Sequence, residues 1–574
     1  MTQPLARSSP VSVEAVGYLL PEVLLILTAT VIYVAGAFIA ARALWVWIAG
    51  AALVAAGLLL WRSTGLAGAP GPIVADALAE YVRGLAVVVG LLLLLLSARS
   101  AAAGQVAEQV GSLLLTIAGL MLAAGADDLV LLFVSLELIS IPTYVLLYLG
   151  GRGQKSQEAA AKYFFLSVLS SAVLLYGFSF LYGLGGSTSL TVIRQAIATG
   201  GSTSLVTGLA PVAAVLIFAG LAYKIAAVPF HFYAPDVYQG TSHANAALLS
   251  VLPKAAGMIV LVRLLGLSMP GQQVTAWRVA MVLAALTMTL GNVLALWQTN
   301  LRRLLAYSSI AHSGYLLMGV AAGLATLPGA QNAESDGYFG MLFYLTIYML
   351  ATAGTFATFE YLGRSNQPLE RVDELAGVAR QQPVIGVALA AFMFSLAGIP
   401  PLAGFAGKLW LFYGALSVAG APGDRRLKTW FALLAVVGVV NAAVAAAYYL
   451  RIIGAAWFGS TPGSTIDRPR AEGGRGPLAA ALVCGLLVIA IGVYPFPLMR
   501  RASLAVQGAR QAANASLQPA TAPVLGSSES PTTDVATMDA TDDAADSTSE
   551  TKDDAATEAA DRAEATSTVL VIPR

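Results

Sequence analysis

The chain reads as an all-α, polytopic membrane protein of about fourteen transmembrane helices. Three observations predict this. Hydrophobic residues are 57% of the 574 and charged residues only 11%, where a soluble domain carries about a quarter. Apolar runs of the ~20 residues needed to cross a bilayer recur along the chain up to about residue 500. Charge is gathered between those runs, apart from a few residues set alone inside them.

The first run, about 17–40, has one basic residue before it, Arg7, and holds Glu22. It is too long for the core of a signal peptide and reads as a retained span. Further runs fall at about 43–61, 82–98, 108–125, 129–150, 160–182, 205–227 and 244–266. The second half continues at 277–298, 304–325, 338–361, 383–400, 430–453 and 476–498, with 402–419 prolonging the twelfth run after a Pro-Pro break. GLGG at 183–186 is a turn in a Gly/Ser loop rather than a nucleotide motif. Residues 1–500 thus form one transmembrane domain, and 501–574 an acidic tail expected to be disordered. Within 524–574 lie 12 acidic and 3 basic residues, too polar to repay ordering. The remainder, with 29 basic and 19 acidic residues, is net positive.

An even number of spans puts both termini on one side. Arg152, Lys155, Arg302, Arg303, Arg364, Arg371, Arg380, Arg468, Arg470 and Arg475 fall on the other, against Arg425, Arg426 and Lys428. Basic loops favour the cytoplasm, so the termini are expected outside.

Several function classes are excluded. There is no Walker A loop and no dinucleotide fingerprint, and nothing points to nucleic acid. The single cysteine, Cys484, can neither close an internal disulfide nor hold an iron–sulfur cluster. No compact His/Cys/Asp/Glu set suggests a metal. Redox or ATP-driven chemistry, if the chain serves it, belongs to a partner.

Four charges at bilayer depth carry the functional signal: Glu137 in LVLLFVSLELISIPTYVLLYL, Lys224 in LIFAGLAYKIAAVPF, Lys254 in AALLSVLPKAAGMIVLV, and Lys408 in SLAGIPPLAGFAGKLWLFYGAL. Each costs ~2.5–3.5 kcal/mol on insertion scales, so each should face protein or water. They could form a static ion pair that serves packing. Three lysines against one glutamate leave ammonium groups without a carboxylate, and burial of such a group eases loss of its proton. A glutamate whose influence comes and goes would then switch a lysine. Of the three histidines, His231 follows Lys224 by seven residues, on one helical face if the helix runs through Pro229. His312 lies within the tenth run, where it either bonds a carbonyl or relays protons. Two stretches, AAVPFHFYAPDVYQGT and SLAGIPPLAGFAGK, break the helix with Pro229 and Pro235 and with Pro400 and Pro401. A break beside a lysine in each half points to a transporter of two repeats, though the lysine precedes the prolines in one and follows them in the other.

SLELISIPTYVLL, EAAAKYFFLSVLSSAVLLYG, KIAAVPFHFYAPDVYQG, NLRRLLAYSSIAHSGYLL and GIPPLAGFAGKLWLF resemble the antiporter-like subunits of the proton-pumping NADH–quinone oxidoreductase, respiratory complex I, over about residues 15–500. Lysine at 408, where M-type subunits carry glutamate, and a tail unlike the long amphipathic helix of L-type subunits, resemble the N type. The resemblance implies two inverted five-helix repeats, spans 4–8 (about 108–266) and 9–13 (about 277–453), with spans 7 and 12 broken. It implies that Glu137, Lys224, Lys254 and Lys408 form a proton relay, with Lys162, His231, Tyr307 and His312 on or beside it. Lys162 reads equally well as an interfacial anchor. It further implies a non-redox translocase subunit in a bacterial inner membrane, with M-type and small K/J-type neighbours. NADH, FMN, iron–sulfur clusters and quinone would sit in partner subunits. The rival readings are a subunit of a multisubunit cation/proton antiporter or membrane-bound hydrogenase, and a scaffold whose charges only fix helix packing.

Overall fold

A computed structural model describes residues 13–63, 71–97, 103–150, 153–200, 204–326, 333–363, 368–420, 425–459 and 474–517. The acidic stretch 524–574, and Arg152, Arg364, Arg468 and Arg470, lie outside the described residues. Within them the protein is helical. α1 (Val13–Gly36), α2 (Arg42–Ser63), α3 (Ala77–Ser97), α4 (Val106–Gly125), α5 (Leu129–Leu149) and α6 (Gln154–Gly185) lead to a short α7 (Leu190–Thr199). α8 (Ser204–Lys224) and α9 (Ala234–Gly240) flank a first break. α10 (His243–Leu261) runs on as a π-helical turn to Ser268, before α11 (Gln273–Leu296), α12 (Leu301–Ala325), α13 (Gly337–Leu362) and α14 (Val378–Gln381). α15 (Pro383–Ala397) and α16 (Ala403–Gly420) flank a second break, and α17 (Arg425–Phe458), α18 (Arg475–Val493) and α19 (Phe496–Ala515) close the described chain.

Twelve of these helices are long and apolar enough to span a membrane, and two shorter apolar helices, Gly208–Lys224 and Pro383–Ala397, stand before the breaks. Helix starts are set by side-chain caps that satisfy orphan backbone donors. Asp128 accepts from the amides of Val130 and Leu131, Ser242 from Asn245, Asn300 from Arg303, and Asp336 from Tyr338. α6 ends where Gly186 turns left-handed at φ +62°, a conformation that glycine adopts without steric cost. The expected turn at 183–186 is therefore the end of α6.

Burial divides the helices. α10 and α13 are wholly buried along their spans and α12 nearly so, although α12 is the least apolar of the twelve. α1, α2, α17 and α18 keep most of their surface outward. The exposed side chains are apolar, and Phe38, Trp61, Trp297 and Phe458 stand out at helix ends, the level at which aromatic side chains meet lipid headgroups. Polar residues are drawn to the centre, where α10, α12 and α13 meet.

The tail does not begin at 501. Residues 496–515 are helix α19, with Ala502, Ala505, Val506, Ala509 and Ala513 buried. That i, i+3, i+4 stripe is built of small residues, so it adds little to a hydropathy count. α19 is seated on the N-terminal ends of α3 and α13. Arg510 donates from Nε to Asp336 Oδ2 (2.5 Å) and from Nη2 to the Gly323 carbonyl (2.8 Å). Burial of Arg510 is outweighed by the Asp336 carboxylate, which lifts its guanidinium further above its usual range.

Two further buried ion pairs tie the first helices together. Arg83 on α3 holds Glu22 on α1 through Nε (2.6 Å) and Nη2 (2.8 Å), with both side chains 2% exposed or less. Arg263 grips Asp76 through two bonds of 2.8 and 2.7 Å and donates to the Ala124 carbonyl. Removing one partner of a buried pair typically costs ~3–5 kcal/mol, whereas replacing both by apolar groups is often neutral. Arg83→Met is therefore expected to lower the melting temperature of the purified protein in detergent well below that of the double variant Glu22→Leu/Arg83→Met. A double variant as unstable as the single one would show that the pair adds more than fit.

Candidate functional site

A chain of polar side chains crosses the protein interior, starting on α5. Glu137 accepts from the Ser171 hydroxyl of α6 at 2.5 Å. Lys224, the last residue of α8, lies 3.6 Å from Glu137 and donates to Ser140 Oγ at 2.7 Å. The pair is therefore in contact while each member also has its own hydroxyl partner. Lys224 is nearly enclosed, and Glu137 retains 20% of its side-chain exposure.

The first break follows at once. Ala226 has φ +54°, Val228–Pro229 is cis, and helix resumes only at Ala234. Backbone groups freed here find side chains: the Val228 amide donates to Thr287 Oγ1 (3.0 Å), and the Ile225 carbonyl accepts from Ser313 (2.6 Å). This is the condition under which irregular backbone is tolerated at bilayer depth. The break also undoes the shared face expected for Lys224 and His231, because no continuous helix joins them. His231 is half-buried in the break, and its Nδ1 has no hydrogen-bond partner among the described residues. α9 is pinned by Asp236, which takes Lys162 of α6 (2.7 Å) and Arg303 of α12 (2.5 Å).

Lys254 is in the middle of α10 and 1% exposed. Its ammonium donates to the carbonyl and hydroxyl of Ser309 on α12 and meets no carboxylate among the described residues. Ser309 Oγ is 2.7 Å from the Tyr348 hydroxyl of α13. Ser313 offers its hydroxyl either to Ile225 or to the Ser309 carbonyl (3.2 Å). It thereby bridges the residue after Lys224 to the one that holds Lys254.

His312 follows on α12, with Nδ1 2.6 Å from the Tyr344 hydroxyl and Nε2 2.8 Å from that of Tyr449. A hydroxyl can donate or accept. His312 can therefore exist in either neutral tautomer or as the cation with both bonds kept. Its ring lies 5.8 Å from that of Tyr344 and 6.1 Å from that of Tyr315. Lys408 of α16 stands over Tyr315, 4.9 Å from the ring centre. Its Nζ donates to the carbonyls of Leu396 (2.8 Å) and Ala397 (2.9 Å), the last turn of α15. Gly398 makes this possible: its φ is +88°, and a Cβ there would stand 2.9 Å from Lys408 Cδ.

Of the eight site residues expected from sequence, the structure brings Glu137, Lys224, Lys254, His312 and Lys408 into this interior chain. Lys162 is at a rim with 39% side-chain exposure, between Glu158 and Asp236. Tyr307 is half-buried and packs against the hydrophobic core. Sequence reasoning missed Ser140, Ser171, Ser309, Tyr344, Tyr348 and Tyr449. The serines and tyrosines at 308–315 were readable as a polar patch in a span; their partners on α13 and α17 were not, nor were the α5 and α6 serines that hold Lys224 and Glu137.

Residues 126–422 match the family model described as NADH:quinone oxidoreductase/Mrp antiporter, TM. NADH-quinone oxidoreductase subunit N of Trichlorobacter lovleyi is 40% identical over 344 residues, which are 59% of this chain and 65% of that one, just under two thirds of its length. A chain of respiratory complex I from Thermus thermophilus with bound aureothin matches with TM-score 0.68 and 30% identity, over 84% of this chain and all of that one. A chain of the Mrp complex from a Dietzia species matches with TM-score 0.73 and 22% identity, over 88% of this chain and all of that one, a likeness of fold alone.

Gly398→Ala puts a side chain into a left-handed position, a strain of roughly 1–2 kcal/mol, and crowds the Lys408 stem. It is expected to lower the melting temperature of the purified protein. Gly454→Ala, where a Cβ meets nothing within 4 Å, is expected to leave it unchanged.

Proposed function

The chain belongs to the NADH:quinone oxidoreductase/Mrp antiporter membrane family, and from that premise we propose that it is the N-type, proton-translocating membrane subunit of a respiratory complex I. Other subunits of the complex oxidise NADH and reduce quinone; FMN and iron–sulfur clusters are assigned to them. This chain supplies proton transfer and no redox centre. Its neighbours are further membrane subunits, including M-type and small K/J-type ones, in a bacterial inner membrane with both termini outside. Each broken pair, α8–α9 and α15–α16, counts as one span, which makes fourteen and is compatible with two inverted repeats. The chain's 40% identity to a subunit N carries the subunit assignment.

The mechanism follows from the interior chain. Lys224 holds its proton while Glu137 is close. When the two separate, Ser140 and Ser171 remain to satisfy them, and the proton moves toward Lys254 through the Ser313–Ser309 bridge. His312, bonded to a hydroxyl on each ring nitrogen, passes charge to the Tyr344–Tyr315 side, where Lys408 takes it up against the α15 carbonyls and releases it. Lys162, His231 and Tyr307 stand beside this route, with Lys162 anchoring α9 at the rim.

A second reading, a subunit of a cation/proton antiporter, is favoured by one observation: the fold is at least as close to the Mrp chain as to the complex I chain. Affinity purification from native membranes separates the two. Recovery with flavin and iron–sulfur subunits and NADH–quinone activity is expected; recovery with small antiporter subunits alone would overturn the complex I assignment. In the intact complex, Lys224→Ala and Glu137→Ala are each expected to assemble and to pump protons poorly in membrane vesicles. Assembly with normal pumping would sink the relay.

A further inference from the structure

His243, the first residue of α10, belongs to none of the contacts used above. It is 1% exposed. Its Nε2 lies 2.8 Å from the Leu369 carbonyl. A carbonyl only accepts, so Nε2 carries the hydrogen and the neutral ring presents a bare lone pair at Nδ1. That Nδ1 is buried and meets no donor among the described residues. A buried imidazole with one fixed and one open nitrogen is a proton acceptor of defined direction.

Its surroundings are charged. The Arg302 guanidinium of α12 opposes a positive charge on His243 and is itself offset by the carboxylates of Glu360 and Glu370. It donates to the Thr241 carbonyl and to Glu370 Oε1 (2.7 Å), and its Nε has no partner among the described residues. Orphaned polar atoms gathered at one buried place, within reach of carboxylates, are the setting in which water enters a protein.

From this point a polar seam leads to Lys254. His243, Ser250 and Lys254 are spaced i, i+7, i+11, along one face of α10. α13 runs the other way along that face: Phe356 and Phe359 ring His243 at 6.2 and 5.9 Å, and the Tyr348 hydroxyl donates to the Ser250 carbonyl (3.1 Å). Between these levels stands Thr352, buried on α13 and one helical turn from Tyr348. Tyr348 then meets Ser309, which holds Lys254. The span is ~16 Å for eleven residues at 1.5 Å each, too far for one transfer and suited to hydroxyls bridged by water.

We infer that His243 takes up protons at Nδ1 from the membrane face bearing Arg302 and Leu369, and loads Lys254 along the α10–α13 seam. This rests on the relay reading of Lys254. The proton arrives at and leaves from Nδ1 through water, because the hydrogen on Nε2 stays there, donated to the Leu369 carbonyl.

The test uses native membrane vesicles holding the intact complex, with proton uptake and NADH–quinone electron transfer measured together in H₂O and D₂O. His243→Gln keeps a donor for Leu369 and cannot be protonated. It is expected to slow pumping several-fold and to raise the solvent isotope effect. Thr352→Val, which removes only the seam hydroxyl, is expected to do the same. Wild-type pumping in assembled His243→Gln overturns the inlet, as does slowed pumping with an unchanged isotope effect, which is what lost packing gives. If His243→Gln does not assemble, Thr352→Val decides by the same readouts. Lys224→Ala, run alongside, separates the two claims. If it is defective while His243→Gln pumps normally, the inlet alone fails. If Lys224→Ala pumps normally, the relay fails and the inlet with it.

Discussion

Three ammonium groups at bilayer depth share one carboxylate, and the interior of this protein is organised around that shortage. Only Lys224 meets Glu137. Lys254 and Lys408 are held by neutral oxygens, a serine in one case and backbone carbonyls in the other. Neutral oxygens satisfy the hydrogen bonds of an ammonium without offering it a full counter-charge. A fixed salt bridge at each position would trap the charge, and an apolar pocket would expel it. The intermediate environment suits a site that must be occupied and vacated in turn.

Helix breaks supply part of that environment. In the sequence, the two lysine-and-proline pairings look mismatched, since Lys224 precedes its prolines and Lys408 follows its own. In three dimensions they are equivalent. Lys224 occupies the last turn of α8. Lys408 reaches back from α16 to the last turn of α15. Both ammonium groups thus stand at the C-terminal end of the first half-helix, where the helix dipole is negative. The breaks differ in order along the chain and agree in electrostatics, the property on which the chemistry depends.

What was legible in the sequence follows from what sequence can encode. Spans are runs of apolar residues, and the expected runs coincide with helices within a few residues because lipid leaves few alternatives to a helix. Four isolated charges and one histidine in those runs named the five residues of the interior chain. Their partners were hidden, because Ser140, Ser171 and Tyr449 are ordinary residues in apolar context and gain meaning only from the helix opposite. The placement of His231 depended on whether the helix runs through Pro229, and the first break removes that helix. α19 was missed because a stripe of alanines looks like a composition bias, and its hold on the body depends on Arg510 meeting Asp336 across 174 positions of chain.

The Glu137–Lys224 contact shows how a buried pair can be made separable. At 3.6 Å it is longer than the 2.6–2.8 Å of the Arg83–Glu22 pair, and it is not the shortest bond of either member. Glu137 has Ser171 at 2.5 Å, and Lys224 has Ser140 at 2.7 Å. Pulling the pair apart therefore leaves neither group bare, so the desolvation penalty that makes a broken buried ion pair so costly is largely avoided. Arg83 and Glu22 are built the other way, with two short bonds and almost no exposure, and have no reason to part. The two pairs lie in one protein, and what sets the longer one apart is two serine hydroxyls, one for each member.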